Sequence, residues 1–186
     1  MYIQAQSAER TILWGKDNIS ILLQSLRVAE KLREEPNAYF QRAQRALRAN
    51  PSATMLDAAA TYLGEANAKD LENYLRENRR EEFFQYLRQR RRFEECWQMI
   101  ERDPITSDAG YHFAVEQKQA EPEKAAEAFV RRIDAHKNTA KNEAYIIVRQ
   151  TLKHLHDIDK NRAEAILQEL RATYKRRTNL MASLDG

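Results

Sequence analysis

The sequence predicts an all-α protein built as an array of short helices, and three observations predict it. Good helix formers (Ala, Leu, Glu, Arg, Gln, Lys) dominate throughout the 186 residues. Punctuation is sparse, with only four glycines and four prolines. Apolar residues recur at helical spacing, and no segment alternates apolar and polar side chains for long enough to form a strand.

Taken in order, Ile19, Leu22, Leu23, Leu26 and Ala29 form the first stripe. Phe40, Ala43 and Leu47 form the second, and Met55, Leu56, Ala59 and Leu63 the third. Leu71, Tyr74 and Leu75 follow, then Phe83, Phe84 and Leu87, then Phe93, Cys96, Trp97 and Ile100. The second half carries Ala125, Ala126, Phe129, Val130 and Ile133, then Tyr145, Val148, Leu152 and Leu155. Ala163, Ile166, Leu167, Leu170 and Tyr174 complete the set. The prolines mark helix starts. Asn50-Pro51 and Asp103-Pro104 each set a capping side chain before a residue that loses nothing at the first helical position, and Glu35-Pro36 and Glu121-Pro122 mark similar boundaries. Asp17, Asn67, Thr139 and Asp159 are further candidate caps.

This pattern gives about nine or ten short helices, each marginal alone and dependent on packing. A compact bundle and a stack of helical hairpins both satisfy it. Alanines at 43, 59, 60, 125, 126 and 128 let helices approach closely and favour the stack, an α-solenoid. The segment Pro122-Glu123-Lys124-Ala125-Ala126-Glu127-Ala128-Phe129 resembles tetratricopeptide helices, although no constant period can be extracted. Residues 1–186 are therefore expected to form a single helical-repeat domain, and the abrupt start is compatible with a fragment of a longer protein.

The charge is balanced: 31 Lys and Arg against 28 Asp and Glu leave a formal net of +3. That excess does not by itself imply a polyanion partner, while a pI near 9.0 keeps one open. No apolar run approaches the roughly 20 residues that cross a bilayer, so no membrane association is expected. The N-terminus lacks the pattern of a signal peptide, and the single cysteine, Cys96, forms no internal disulfide and no cysteine-rich zinc site. A reducing, cytoplasmic setting is expected.

Catalytic patterns are missing from the sequence. The glycines at 15, 64, 110 and 186 are isolated, so no phosphate loop exists. His154 and His156 sit two apart on one helix, point about 200° apart and cannot share a metal. His112 and His136 read as boundary histidines, and Cys96 as a small core residue. The pairs Glu34-Glu35, Glu81-Glu82 and Glu94-Glu95 read as solvated helix surface. The expectation is a non-enzyme with no catalytic residue, no cofactor and no metal.

The sharpest charge feature is Arg88-Gln89-Arg90-Arg91-Arg92, preceded by Arg79-Arg80 and interleaved with Phe83, Phe84, Tyr86 and Trp97. Cations beside exposed aromatics would suit phosphates and stacked bases. Glu81, Glu82, Glu94 and Glu95 lie close enough to neutralise much of it, which favours a salt-bridged turn. Lys175-Arg176-Arg177 closes the last long helix, where cations complement the helix dipole.

Residues 91–184 resemble the helical region that ends many bacterial SWIM zinc-finger proteins. The resemblance rests on Arg92-Phe93-Glu94-Glu95-Cys96-Trp97, on Pro122 to Phe129, on Lys141-Asn142-Glu143-Ala144-Tyr145, and above all on Leu170-Arg171-Ala172-Thr173-Tyr174-Lys175-Arg176-Arg177-Thr178-Asn179-Leu180. That family's zinc site needs a C-x-C…C-x-H arrangement, and this chain has one cysteine, so the resemblance implies the helical scaffold without its finger. It transfers no catalytic residue.

Two functions are weighed. The first is a scaffold for a protein partner, with Tyr2, Trp14, Tyr39, Tyr62 and Tyr111 as candidates for an exposed groove. The second is a nucleic-acid-associated module contacting phosphates through Arg79, Arg80, Arg88, Arg90, Arg91 and Arg92.

Overall fold

The computed structural model describes residues 19–102 and 108–185, the last by its backbone alone. Tyr2, Trp14, Asp17 and Asp103-Pro104 lie outside the described residues. Among those described there are eleven α-helices and no strand: α1 (Ile19–Lys31), α2 (Pro36–Ala49), α3 (Ala53–Leu63), α4 (Glu65–Asn78), α5 (Arg80–Gln89), α6 (Phe93–Arg102), α7 (Asp108–Gln117), α8 (Pro122–Lys137), α9 (Asn142–Ile158), α10 (Lys160–Tyr174) and α11 (Thr178–Asp185). The all-α expectation holds. No helix among the described residues is long and apolar enough to cross a membrane. The 1–186 span groups into two compact units, Met1–Phe93 and Glu94–Gly186.

In the first unit each helix packs on the next and on the next but one: α1 on α2 and α3, α2 on α3 and α4, α3 on α4 and α5, and α4 on α5. The predicted stripes supply the core, with Leu26, Leu47, Met55, Leu56, Leu71, Leu75, Phe83 and Leu87 buried. Each such side chain removed from water contributes about 1.5–3 kcal/mol. Tyr39 rather than Phe40 is the fully buried aromatic of α2, its ring 4.2 Å from that of Tyr62.

In the second unit α8 and α9 form the principal hairpin; α7 packs on α8, and α10 and α11 pack on α9 and on each other. Phe113, Ala125, Phe129, Val148, Leu155 and Leu180 are fully buried. Leu180 therefore packs within this chain. Arg177 holds α11 in place, donating from Nη1 to Lys137 O (3.2 Å) and from Nη2 to Asn138 O (3.3 Å), where α8 ends. Arg177 of the basic run at 175–177 thus answers the orphan carbonyls of a neighbouring helix, while the run as a whole complements the dipole of its own.

The proline signals are mixed in outcome. Pro36 and Pro122 do occupy the first turns of α2 and α8. Asn50 instead ends α2, and α3 begins two residues after Pro51, at Ala53. Its first N–H is met from a distance: Ala53 N donates to Glu82 Oε2 at 2.9 Å. Asp159 caps α10 as expected, accepting from Arg162 N at 3.0 Å. Asn67 lies inside α4, and Lys141 rather than Thr139 precedes α9.

Helices α2, α4, α6 and α8 begin at residues 36, 65, 93 and 122, that is 29, 28 and 29 residues apart. The fourth residue of each (Tyr39, Ala68, Cys96, Ala125) is buried, as is the eighth (Ala43, Glu72, Ile100, Phe129). The residue types at these positions share little beyond burial, which is why the spacing is invisible in the sequence.

Candidate functional site

The arginine run is first of all a helix terminus. Helix α5 ends with Arg91 N donating to Arg88 O (3.0 Å) and Arg92 N to Leu87 O (2.9 Å), with Arg91 left-handed at φ 55°. This is a Schellman cap with arginine where glycine is usual. Helix α1 ends identically, through Arg33 N to Glu30 O (3.0 Å) and Glu34 N to Ala29 O (3.0 Å), with Arg33 at φ 51°.

The six predicted contact residues separate to the two ends of α5. Arg79 and Arg80 are exposed at its start. At its end, Arg88 reaches Gln85 Oε1 (3.3 Å) and Arg91 is exposed. Arg90 turns back onto α3, its Nε 2.6 Å from Asp57 Oδ1 and its Nη2 on Asp57 O (2.9 Å) and Thr61 Oγ1 (2.7 Å). Arg92 turns onto α4, donating from Nη1 to Glu72 Oε1 at 2.9 Å. Glu72 is buried and also accepts from Tyr86 OH at 2.7 Å. Burial, then the Glu72 carboxylate, push the Tyr86 phenol far above its ordinary range. The interleaved aromatics Phe83, Phe84, Tyr86 and Trp97 are all buried, so none stands open beside the arginines to stack a base. Tyr39 and Tyr111, expected in an exposed groove, are likewise buried, and Tyr62 is half-buried with its hydroxyl on Glu34 O (2.8 Å). Their periodicity placed them in the core, and their polar tips did not override it.

A second cluster joins α7, α8 and α9. Lys118 Nζ lies 2.6 Å from Asp157 Oδ2 and 3.2 Å from His154 Nδ1. His154 stands against the rings of Tyr111 and Phe129 at 5.9 and 6.0 Å. Burial, then the Lys118 charge, hold its imidazole below the usual range. Arg132, buried, lies 4.3 Å over the Tyr111 ring and 3.3 Å from Asp108 Oδ1. No group of three His, Cys, Asp or Glu among the described residues is placed to hold a metal ion. Cys96 is buried, in the setting of a small hydrophobe.

Among the described residues, one concave feature of the second unit is a groove of about 140 Å³ between α6 and α8. Its base is Trp97, Ile100 and Ala128, and its rim is Glu101, Glu123, Lys124, Glu127 and Arg131. Trp97 is braced from beneath by the edge-on ring of Phe113, 5.0 Å away. The helical period explains the composition: in α8 residues 124, 128 and 131 share one face, and the small Ala128 opens the space that a larger residue would fill. Lys124 Nζ is held by Glu94 Oε2 at 2.7 Å, a bond that raises its pKa. Arg131 Nη1 donates to Glu101 O (2.8 Å), and Glu127 accepts from Arg162 Nη2 (2.9 Å). Sequence reasoning missed this site because Trp97 and Ile100 read as an ordinary core stripe and Ala128 as one of several alanines in its helix.

No known protein-family model, curated protein or solved structure matches the chain.

Proposed function

We propose that the protein is a non-catalytic helical-repeat scaffold for protein–protein interaction, and that the groove between α6 and α8 is where a partner engages. The observation that carries this reading is the groove itself: an apolar base of Trp97, Ile100 and Ala128 under a rim of charged side chains. Apolar centres with polar rims are the usual anatomy of protein interfaces. Supporting it, helices of the first unit pack on next and next-but-one neighbours, as in stacked hairpins. The helix starts 29, 28 and 29 residues apart fit a degenerate two-helix repeat. The second unit begins at Glu94, close to Arg91 where the resemblance to the SWIM-protein helical region starts, and a scaffold role agrees with that resemblance. A cytoplasmic setting suits a chain with one buried thiol.

The nucleic-acid reading draws less support, because Arg90 and Arg92 are engaged by Asp57 and Glu72 and the neighbouring aromatics are buried. Site-specific photocrosslinking in the source cells tests the scaffold reading. A photoreactive residue at position 123, on the groove rim, is expected to capture a discrete protein, while one at Arg171, exposed on α10, is not. Equal, diffuse capture from both positions would sink the reading.

A further inference from the structure

We infer that the groove between α6 and α8 receives one bulky apolar side chain carried on a basic segment of its partner; this rests on the scaffold reading above. Size sets the first half of the inference. A space of about 140 Å³ matches what one aromatic ring or branched aliphatic side chain fills, since an engineered protein cavity of ~150 Å³ takes up benzene. Ile100 and Ala128 offer such a group no hydrogen bond and the Trp97 indole only a single N–H donor, so most of the base rewards an apolar group over a polar one.

Charge sets the second half. The two cations of the rim are already answered from within the chain: Lys124 by Glu94 at 2.7 Å and Glu121 at 4.0 Å, Arg131 by the Glu101 carbonyl at 2.8 Å. Glu127 is matched by Arg162 at 2.9 Å. The rim and the side chains paired to it therefore hold five carboxylates (Glu94, Glu101, Glu121, Glu123, Glu127) and three cations (Lys124, Arg131, Arg162), a local charge of −2. This lies on a chain whose formal net charge is +3. Glu101 and Glu123, both exposed, line the opening and would meet cationic residues flanking the anchor. Complementary rim charge selects partners and speeds their encounter, and an acidic segment would be turned away at the same place.

The test uses the full chain as bait for a displayed library of random peptides, with the selected sequences remade as labelled synthetic peptides and measured by fluorescence anisotropy. The expected binders share a bulky apolar residue flanked by Arg or Lys. Their affinity should fall about 10-fold or more in the double variant E101R/E123R, and fall with added salt. Both sites are exposed, and an unchanged thermal midpoint and helical signal show that the variant folds. Acidic binders, or basic binders whose affinity is the same for E101R/E123R, overturn this inference and leave the scaffold reading standing. A library that yields no binder overturns both.

Discussion

Tyr39 and Tyr86 are the same residue in opposite circumstances. Both are fully buried in the first unit. The Tyr86 hydroxyl donates to Glu72, whereas that of Tyr39 has no hydrogen-bond partner. An unpaired buried hydroxyl is a net cost, while a bond to a buried carboxylate is a gain whose loss also strands the acceptor. Tyr39→Phe is therefore expected to raise unfolding stability by up to about 1 kcal/mol and Tyr86→Phe to lower it by about 1–3 kcal/mol, measured by urea denaturation. A similar contrast governs the histidines. His136 is held below its ordinary value of 6.5 by burial and Arg132. His154 is held below the same value by burial and then Lys118, against the opposing pull of Asp157. A depressed histidine favours the neutral form in the folded state, so its contribution is complete above pH 6.5 and declines as pH falls through that value. Stability is expected to drop on acidification from pH 7 towards 5, and the slope to flatten in a His136→Gln/His154→Gln variant. An unchanged slope would show that neither imidazole matters. None of this was legible in the sequence, since a tyrosine or histidine on an apolar stripe reads the same whether or not a partner waits for its polar atom.

The helices were legible as bodies and illegible at their ends. Stripes at 3.6-residue spacing located the helices they marked, yet α7, whose Gly110 weakens the pattern, and the short α11 carried no stripe. Ends failed where the cap is not local. The first N–H of α3 is met by Glu82, 29 residues away, so Pro51 marked the wrong start. The arginines at 33 and 91 hide two Schellman caps because a glycine signal is missing. Left-handed backbone costs an ordinary residue about 1 kcal/mol, so Arg33→Gly and Arg91→Gly should each stabilise the fold by several tenths to 1 kcal/mol in thermal melts. Gly64 is the reverse case. It alone joins α3 to α4, at φ 79° and ψ 153°, with nothing within 4 Å of an added Cβ. Gly64→Ala is expected to destabilise by about 1–3 kcal/mol through backbone strain, since crowding contributes nothing there.

At the scale of the molecule, two compact units meet in sequence at Phe93 and Glu94. Each has its own buried core, so fragments 1–93 and 94–186 are each expected to refold to a helical state with a cooperative melt; a fragment that stays unfolded would show that its core is incomplete alone. Composition is uniform along the chain and no linker of Gly, Pro or Ser marks this boundary, so the two units are not visible in the sequence. The groove was illegible for a related reason: it exists only once α6 and α8 lie side by side. The buried phenols give these units a built-in clock. Tyr39 ionises only at about pH 12, and Tyr111 is also raised by burial, whereas an open tyrosine ionises near 10.0. After a jump to about pH 11, phenolate absorbance from exposed tyrosines rises within the mixing time. The delayed absorbance that follows reports the opening of the first unit through Tyr39 and Tyr86 and of the second through Tyr111, without any label attached to the chain.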